Sequence, residues 1–418
     1  MKYDTSTGKV FLFTFVCLIF TIFTQGLVVS TFKLLIPSIS FSPGVYLSYV
    51  IYPVLILFLL PEIKKDSFNI SYLLFIFVIL FSLLIKSLFQ YEQIEIGTLF
   101  RIVNYCIPIV FLICAGVVYD NNSVLKKVNF LVNSIIVISI IQLIFKDYLP
   151  SSFVEPPLVG DSKASSTVYI GGIAFMKANG TIGNPLEFAS FLILSLFFKL
   201  FFYRDKSLNL MIFIVVVNLL NMLLFSRLSL VLLLFVSFFY LFFISRDSYR
   251  YKVILAVIIS IVIFSIPSEY YSDSVEFMHS RLFSDSASDS DEAHLLGFQY
   301  VFSLISDHPI LGMAPSSDSV NYSLITDGFW ITSILEFGIP LFTVFMILFF
   351  LPLIYVFLKT RIISRNLVLL LLLVLSVFCI CILNSSLHNK INYMFFWFLY
   401  GLYAFNSLNK RKITYKGN

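Results

Sequence analysis

Apolar stretches of about twenty residues follow one another along almost the whole chain, and that pattern leaves it few ways to fold. Twelve stretches reach span length: 10–30, 44–60, 70–88, 101–118, 129–146, 186–203, 208–225, 228–244, 252–267, 329–358, 366–384 and 391–407. Of the 418 residues, 59% are hydrophobic and only 12% charged, about half the charge of a soluble domain. In hydrocarbon every backbone N–H and C=O must find a partner within the protein, so such spans fold as helices. The expected fold is therefore all-α: a polytopic integral membrane protein of about 12 transmembrane helices. The stretch 329–358 is too long for one perpendicular crossing and is expected to tilt or to begin outside the bilayer. Pro53 and Pro108 fall within spans, where neighbouring helices can satisfy the freed carbonyls.

Positive charge sets the expected orientation. With the N-terminus in the cytoplasm, 18 of the 28 Lys and Arg fall in the inner termini and connections. Both termini are then cytoplasmic. The chain divides into N-terminal spans (1–146), a first extracytoplasmic loop (147–185), central spans (186–267), a large extracytoplasmic loop (268–327), and C-terminal spans with a basic tail (328–418). The first apolar run lacks a small-residue cleavage site and reads as an uncleaved helix. The 5 Cys all lie inside apolar runs and read as small buried hydrophobes.

The net charge of +5 is spread over membrane connections, so it does not point to nucleic acid. Walker and dinucleotide-binding glycine patterns are absent, and the inner loops are too short to house a nucleotide. Chemistry, if there is any, belongs to the two long outer loops. Connections of this length are usually functional or disordered. The first carries Lys177 and then Gly180-Thr-Ile-Gly-Asn184-Pro185. Glycine permits close backbone approach, Asn and Pro suit a helix start, and a helix N-terminus favours phosphate. A plain turn back into the membrane fits the same residues. Arg227, after Ser226, lies between two spans, and Arg101 lies at the outer end of another. Each is either a snorkelling arginine or an anion ligand facing a cavity.

The second loop holds ten acidic residues and one arginine, Arg281. Asp289-Ser290-Asp291 lacks calcium-loop spacing and is expected to cap a helix from about Asp291 to Ser306, not to hold metal. His294 falls on its first turn. Asp307 and His308 follow, and Pro309 stops it. Gly312 and Asp327 lie further on, Asp327 just before the next span.

Taken in order, these pieces resemble the bacterial O-antigen polymerase (Wzy-type) and O-antigen ligase superfamily over roughly residues 170–345. The marks are Gly180–Pro185 opening a helix, Ser226-Arg227 between spans, an arginine ahead of a short helix, Asp307-His-Pro-Ile-Leu-Gly312, and Leu335-Glu-Phe-Gly-Ile-Pro340. The resemblance implies a membrane glycosyltransferase without cofactor or metal. It would polymerise polyprenyl-pyrophosphate-linked oligosaccharide repeat units at the outer face of the bacterial cytoplasmic membrane. Both donor and acceptor would be lipid-linked, and a chain-length regulator and a flippase would be its partners.

In that reading Arg101, Arg227, Arg281 and Lys177 bind the pyrophosphate. Asp327, His294 and His308 are the candidate bases, and Gly180, Asn184, Pro185 and Gly312 position the loops. Fixed cations suit a leaving group that gains negative charge, and a carboxylate or imidazole suits an acceptor hydroxyl. Lys177 and His294 stand where the family often carries arginine. Asp327 stands where ligases carry histidine, which favours a polymerase. The alternatives are an O-antigen ligase and a transporter or flippase of the same lipid-linked unit.

Overall fold

The computed structural model describes residues 6–24, 43–63, 67–91, 96–145, 148–150, 167–170, 173–176, 185–203, 208–222, 226–245, 285–313, 328–360, 364–383 and 386–414, with isolated positions 28, 31, 35, 182 and 224. Its helices are α1 (Ser6–Phe23), α2 (Pro43–Ile63), α3 (Ser67–Tyr91), α4 (Ile96–Cys106), α5 (Val110–Val118), α6 (Asn122–Ile144), α7 (Pro185–Phe202), α8 (Leu208–Met222), α9 (Arg227–Phe239), α10 (Asp285–Asp307), α11 (Phe329–Lys359), α12 (Arg365–Leu383) and α13 (Lys390–Thr414). A 3₁₀ turn at Ile107–Ile109, set by Pro108, joins α4 to α5. A π-helical turn, Tyr240–Ile244, extends α9.

The expectation of an all-α chain needs one amendment. Two short strands, β1 (Thr167–Ile170) and β2 (Ile173–Met176), pair antiparallel in the first long loop, with Ile170 opposite Ile173. Gly171 and Gly172 are the two residues between them.

Among the described residues six helices are long and apolar enough to cross a membrane: Phe68–Gln90, Thr98–Val118, Asn122–Ile144, Pro185–Phe202, Phe329–Lys359 and Arg365–Leu383. This fits a polytopic membrane protein, but among the described residues the count is six, not about twelve. Gly8–Phe23, Tyr49–Leu60, Leu208–Asn221 and Leu228–Ile244 are apolar helices that fall short in length. In α13, tyrosines and asparagines such as Asn392, Tyr400 and Asn406 dilute the hydropathy. Stretch 252–267 lies outside the described residues.

The chain forms two units by contact: residues 1–22, 43–128 and 294–418, and residues 23–42 and 129–293. The first is built around α13, in which Trp397, Tyr400 and Tyr403 are fully buried. α13 crosses α5 closely. A β-carbon on Gly401 would strike the Leu112 carbonyl, and the Phe405 ring lies against Gly116. Small residues at such crossings let helix backbones approach without a hydrophobic driving force.

In the second unit α7 is buried along most of its length. Lys199 on its last turn meets the side-chain oxygens of Asn129 and Asn133, with its ammonium 4.8 Å from the Phe213 ring centroid. Asn218 of α8 donates to Ser237 Oγ at 2.9 Å, and Ser229 of α9 donates to Asn221 Oδ1 at 3.3 Å. These are neutral ties between neighbouring helices.

Candidate functional site

The site is built on a break in α11. Gly338 has φ 72° and ψ 164°, outside helical space and in the left-handed half that glycine tolerates best. Two residues later Pro340 has no N–H to give. An unbroken helix would bond Ile339 N–H to the Leu335 carbonyl and residue 340 to the Glu336 carbonyl. Three backbone groups are therefore set free at once. Each unmet group costs several kcal/mol where water is absent.

The loop after α10 takes up two of them. Met313 N–H donates to the Leu335 carbonyl at 2.8 Å, and Ile339 N–H donates to the Pro309 carbonyl at 2.9 Å. The loop can reach because Gly312 (φ 57°) and Gly338 lie against each other; a β-carbon on either would run into the other strand's backbone. Gly312 N–H closes its own turn on the His308 carbonyl at 2.8 Å, and Gln90 Nε2 of α3 donates to the Gly312 carbonyl at 2.9 Å. Thus Asp307–Gly312 and Leu335–Pro340, 28 residues apart in sequence, interlock through their backbones. Val301 and Ile305 of α10 pack on Leu335 beside them.

The third freed group, the Glu336 carbonyl, accepts from the buried Lys86 ammonium of α3. The Glu336 side chain is 0% exposed and forms an ion pair through Oε1 with Arg101 of α4, itself 18% exposed. Among the described residues Glu336 Oε2 has no hydrogen-bond partner. Among the described residues that are buried, Glu336 is the only acidic one. Arg101 and Lys86 thus converge on one residue, at a place where an unpaired charge is costly.

An aromatic wall follows from the cluster. The Tyr105 hydroxyl lies 3.3 Å from His388 Nε2 in the short turn before α13, and the Tyr393 hydroxyl donates to the Tyr105 carbonyl at 3.0 Å. Phe337 meets the Tyr105 ring edge-on at 4.9 Å, and Phe329 lies 5.0 Å from the His388 ring. Burial, with the charge of Arg101, holds His388 well below the usual imidazole range, so it is neutral at physiological pH. Lys390 lies 3.8 Å from the Tyr49 ring centroid, and Tyr49 donates to Asn104 Oδ1 at 2.9 Å beside Arg101. Burial pushes Lys390 down to about 7, a value that a bound anion would raise.

Of the residues singled out in the sequence, Arg101 and Gly312 belong to this site. Arg101 is engaged by Glu336. Pro185 opens α7 as expected. His308 is exposed, with its N–H on the Leu304 carbonyl at 3.2 Å, so it is not part of the buried cluster. His294 lies on α10 and Arg227 begins α9, with side chains outside the described residues. The helix carrying His294 starts at Asp285 and not near Asp291, so His294 is not on its first turn. Asp327, Arg281, Lys177, Gly180 and Asn184 lie outside the described residues.

Lys86, Gln90, Tyr105, His388 and Lys390 were not singled out, and Glu336 entered only within the Leu335–Pro340 run, without a role of its own. A signal for Glu336 was present: a carboxylate in an apolar run, four residues before a proline that strands its carbonyl. No family model matches the chain, and no curated protein matches it significantly in sequence.

Proposed function

We propose that the protein is a membrane glycosyltransferase that polymerises polyprenyl-pyrophosphate-linked oligosaccharide repeat units, and that the α11 break is part of its active site. The observation that carries this reading is the convergence of Arg101 and Lys86 on a broken helix at Glu336. A polar knot that only closed a helix break would need no ions. Fixed cations in a water-poor site suit a lipid pyrophosphate, whose charge grows as the glycosyl bond breaks. In this reading Glu336 aims the Arg101 guanidinium, and Arg101 exchanges part of that pairing for a phosphate oxygen when the donor binds. The acceptor hydroxyl attacks the anomeric carbon and the lipid pyrophosphate leaves. A base takes the hydroxyl proton, with Asp327 and His294 as candidates. The two interlocked segments are also two of the five marks of the family resemblance, which adds support.

The reading takes the remaining apolar helices as further spans, twelve in all with 252–267, and places the break at the outer face by the charge rule. A second reading, a transporter of the lipid-linked unit, gains from the same observation. Broken helices with charged groups at membrane depth also build transport sites.

Purified protein in vesicles supplied with lipid-linked repeat units separates the readings. A ladder of lengthened lipid-linked chains is expected. Movement of the unit across the bilayer without lengthening would replace the transferase with a transporter. Transfer to a lipid acceptor without lengthening would make it a ligase.

A further inference from the structure

We infer that the second half of α10 and its following loop, His294–Met313, form an in-plane helix seated in the bilayer interface. Its partner is the lipid itself, at the hydrocarbon edge. This needs only that the chain spans a membrane and does not depend on the transferase reading.

Depth comes from the hydrogen bonds. The span Phe68–Gln90 has 23 residues. At about 1.5 Å per residue that is about 34 Å, close to the ~30 Å hydrocarbon thickness. Gln90, its last residue, is bonded to the Gly312 carbonyl at 2.9 Å. The loop is thereby tied to the level where hydrocarbon ends. Ile339, on the lipid-length helix α11, is bonded to Pro309 at 2.9 Å and fixes the other side of the same turn.

The surface chemistry fits that depth. Ile310 and Leu311 are 70% and 58% exposed, beside Leu88 and Phe89 at the exposed end of α3 and Ile339 on α11. On α10 one line, Val301 and Ile305, is buried against Leu335. Leu295 and Phe302 on one shoulder, and Tyr300 on the other, are exposed. The crest between the shoulders is mostly polar, with Gln299, Ser303 and Ser306 exposed along it and Leu296 two turns before Ser303. A soluble loop would hide these leucines and phenylalanines, and a spanning helix would carry no such crest. A helix with apolar shoulders and a polar crest lies in the membrane plane with the crest toward water. The apolar surface is continuous with the lipid-facing residues of α3 and α11, which argues for lipid and against a separate protein.

The test uses single tryptophans at exposed positions, read as the increment over the parent's 2 native tryptophans. Leu295→Trp, Phe302→Trp, Leu311→Trp and Ser303→Trp are each reconstituted in phosphatidylcholine vesicles. The bilayers carry bromine on the acyl chains near the headgroups, and acrylamide is the aqueous quencher. Bromolipid is expected to quench positions 295, 302 and 311 well above position 303, and acrylamide to show the reverse order. Equal acrylamide quenching at all four would mean a water-borne loop. Protection of 295, 302 and 311 from both quenchers would mean that protein covers them. Equal bromolipid quenching at 303 would mean a buried helix. Each of those three outcomes overturns the proposal. All four positions are exposed, so no core contact is lost in the variants.

Discussion

The hydrogen-bond ladder of α11 is interrupted twice, with non-helical backbone only at Gly338, and the two gaps are closed in different ways. At Pro352 the missing N–H strands the Leu348 carbonyl, which accepts from the Tyr72 hydroxyl at 3.3 Å. The next rung is bridged by one hydroxyl: Leu353 N–H donates to Tyr400 at 2.9 Å, and Tyr400 donates to the Phe349 carbonyl at 3.0 Å. Two neutral tyrosines complete that repair. At Gly338–Pro340 the same kind of vacancy is filled by a lysine ammonium and a docked loop, with a buried Arg101–Glu336 ion pair alongside. The first break shows that the fold closes a proline gap with uncharged groups. The ions at the second therefore exceed what closure requires, and buried ions cost stability that hydroxyls do not. That excess is the physical ground for assigning function to one break and only structure to the other.

The largest effect is expected from Arg101→Ala. It leaves the Glu336 carboxylate buried without its counterion, at a cost of about 3–5 kcal/mol. The thermal unfolding midpoint in detergent should fall steeply. A parental midpoint would mean that the ion pair does not form. Gly338→Ala comes next. Left-handed backbone costs a residue with a side chain about 1–3 kcal/mol, before the added methyl meets the Ile310 carbonyl. The loop 309–313 should release from α11, seen as faster hydrogen exchange at the Met313 and Ile339 amides. Unchanged exchange would break the interlock described above. The smallest effect belongs to the neutral repair. Tyr72→Phe removes one hydroxyl and is expected to cost about 0.6–1.7 kcal/mol, as interhelical hydrogen bonds in membranes do. Chain-lengthening activity should stay at the parental level. A large loss of activity would erase the contrast between the breaks.

Much of the fold was legible in the sequence because hydropathy reports directly on burial in lipid. The positions of α3, α6, α7, α11 and α12 follow from apolar length alone. The kink in the overlong span was anticipated only as a tilt or an external turn, because apolar length does not show where a helix unwinds. Gly338 and Pro340 do, once read as a pair that frees three backbone groups. The hairpin of β1 and β2 was missed although Thr-Val-Tyr-Ile and Ile-Ala-Phe-Met flank two glycines, a standard two-residue turn signal. Arg101 was picked by charge at a span end, but its partner was not. Contact between α4 and α11 joins residues 235 positions apart, and nothing local encodes it. His308 was picked for its motif, yet the motif's contribution is made by backbone: the Pro309 carbonyl, the turn at Gly312 and the Met313 amide.

The central claim is that the ions at the Gly338–Pro340 break serve chemistry and not closure. The direct measurement is chain lengthening by the double variant Arg101→Met/Glu336→Leu in vesicles. Both changes leave the Glu336 position's carbonyl for Lys86 and replace the pair with apolar groups, an exchange that is often neutral or stabilising. The expected result is a folded protein with a parental unfolding midpoint that makes no lengthened chains. A folded double variant that lengthens lipid-linked chains at the parental rate would contradict the claim.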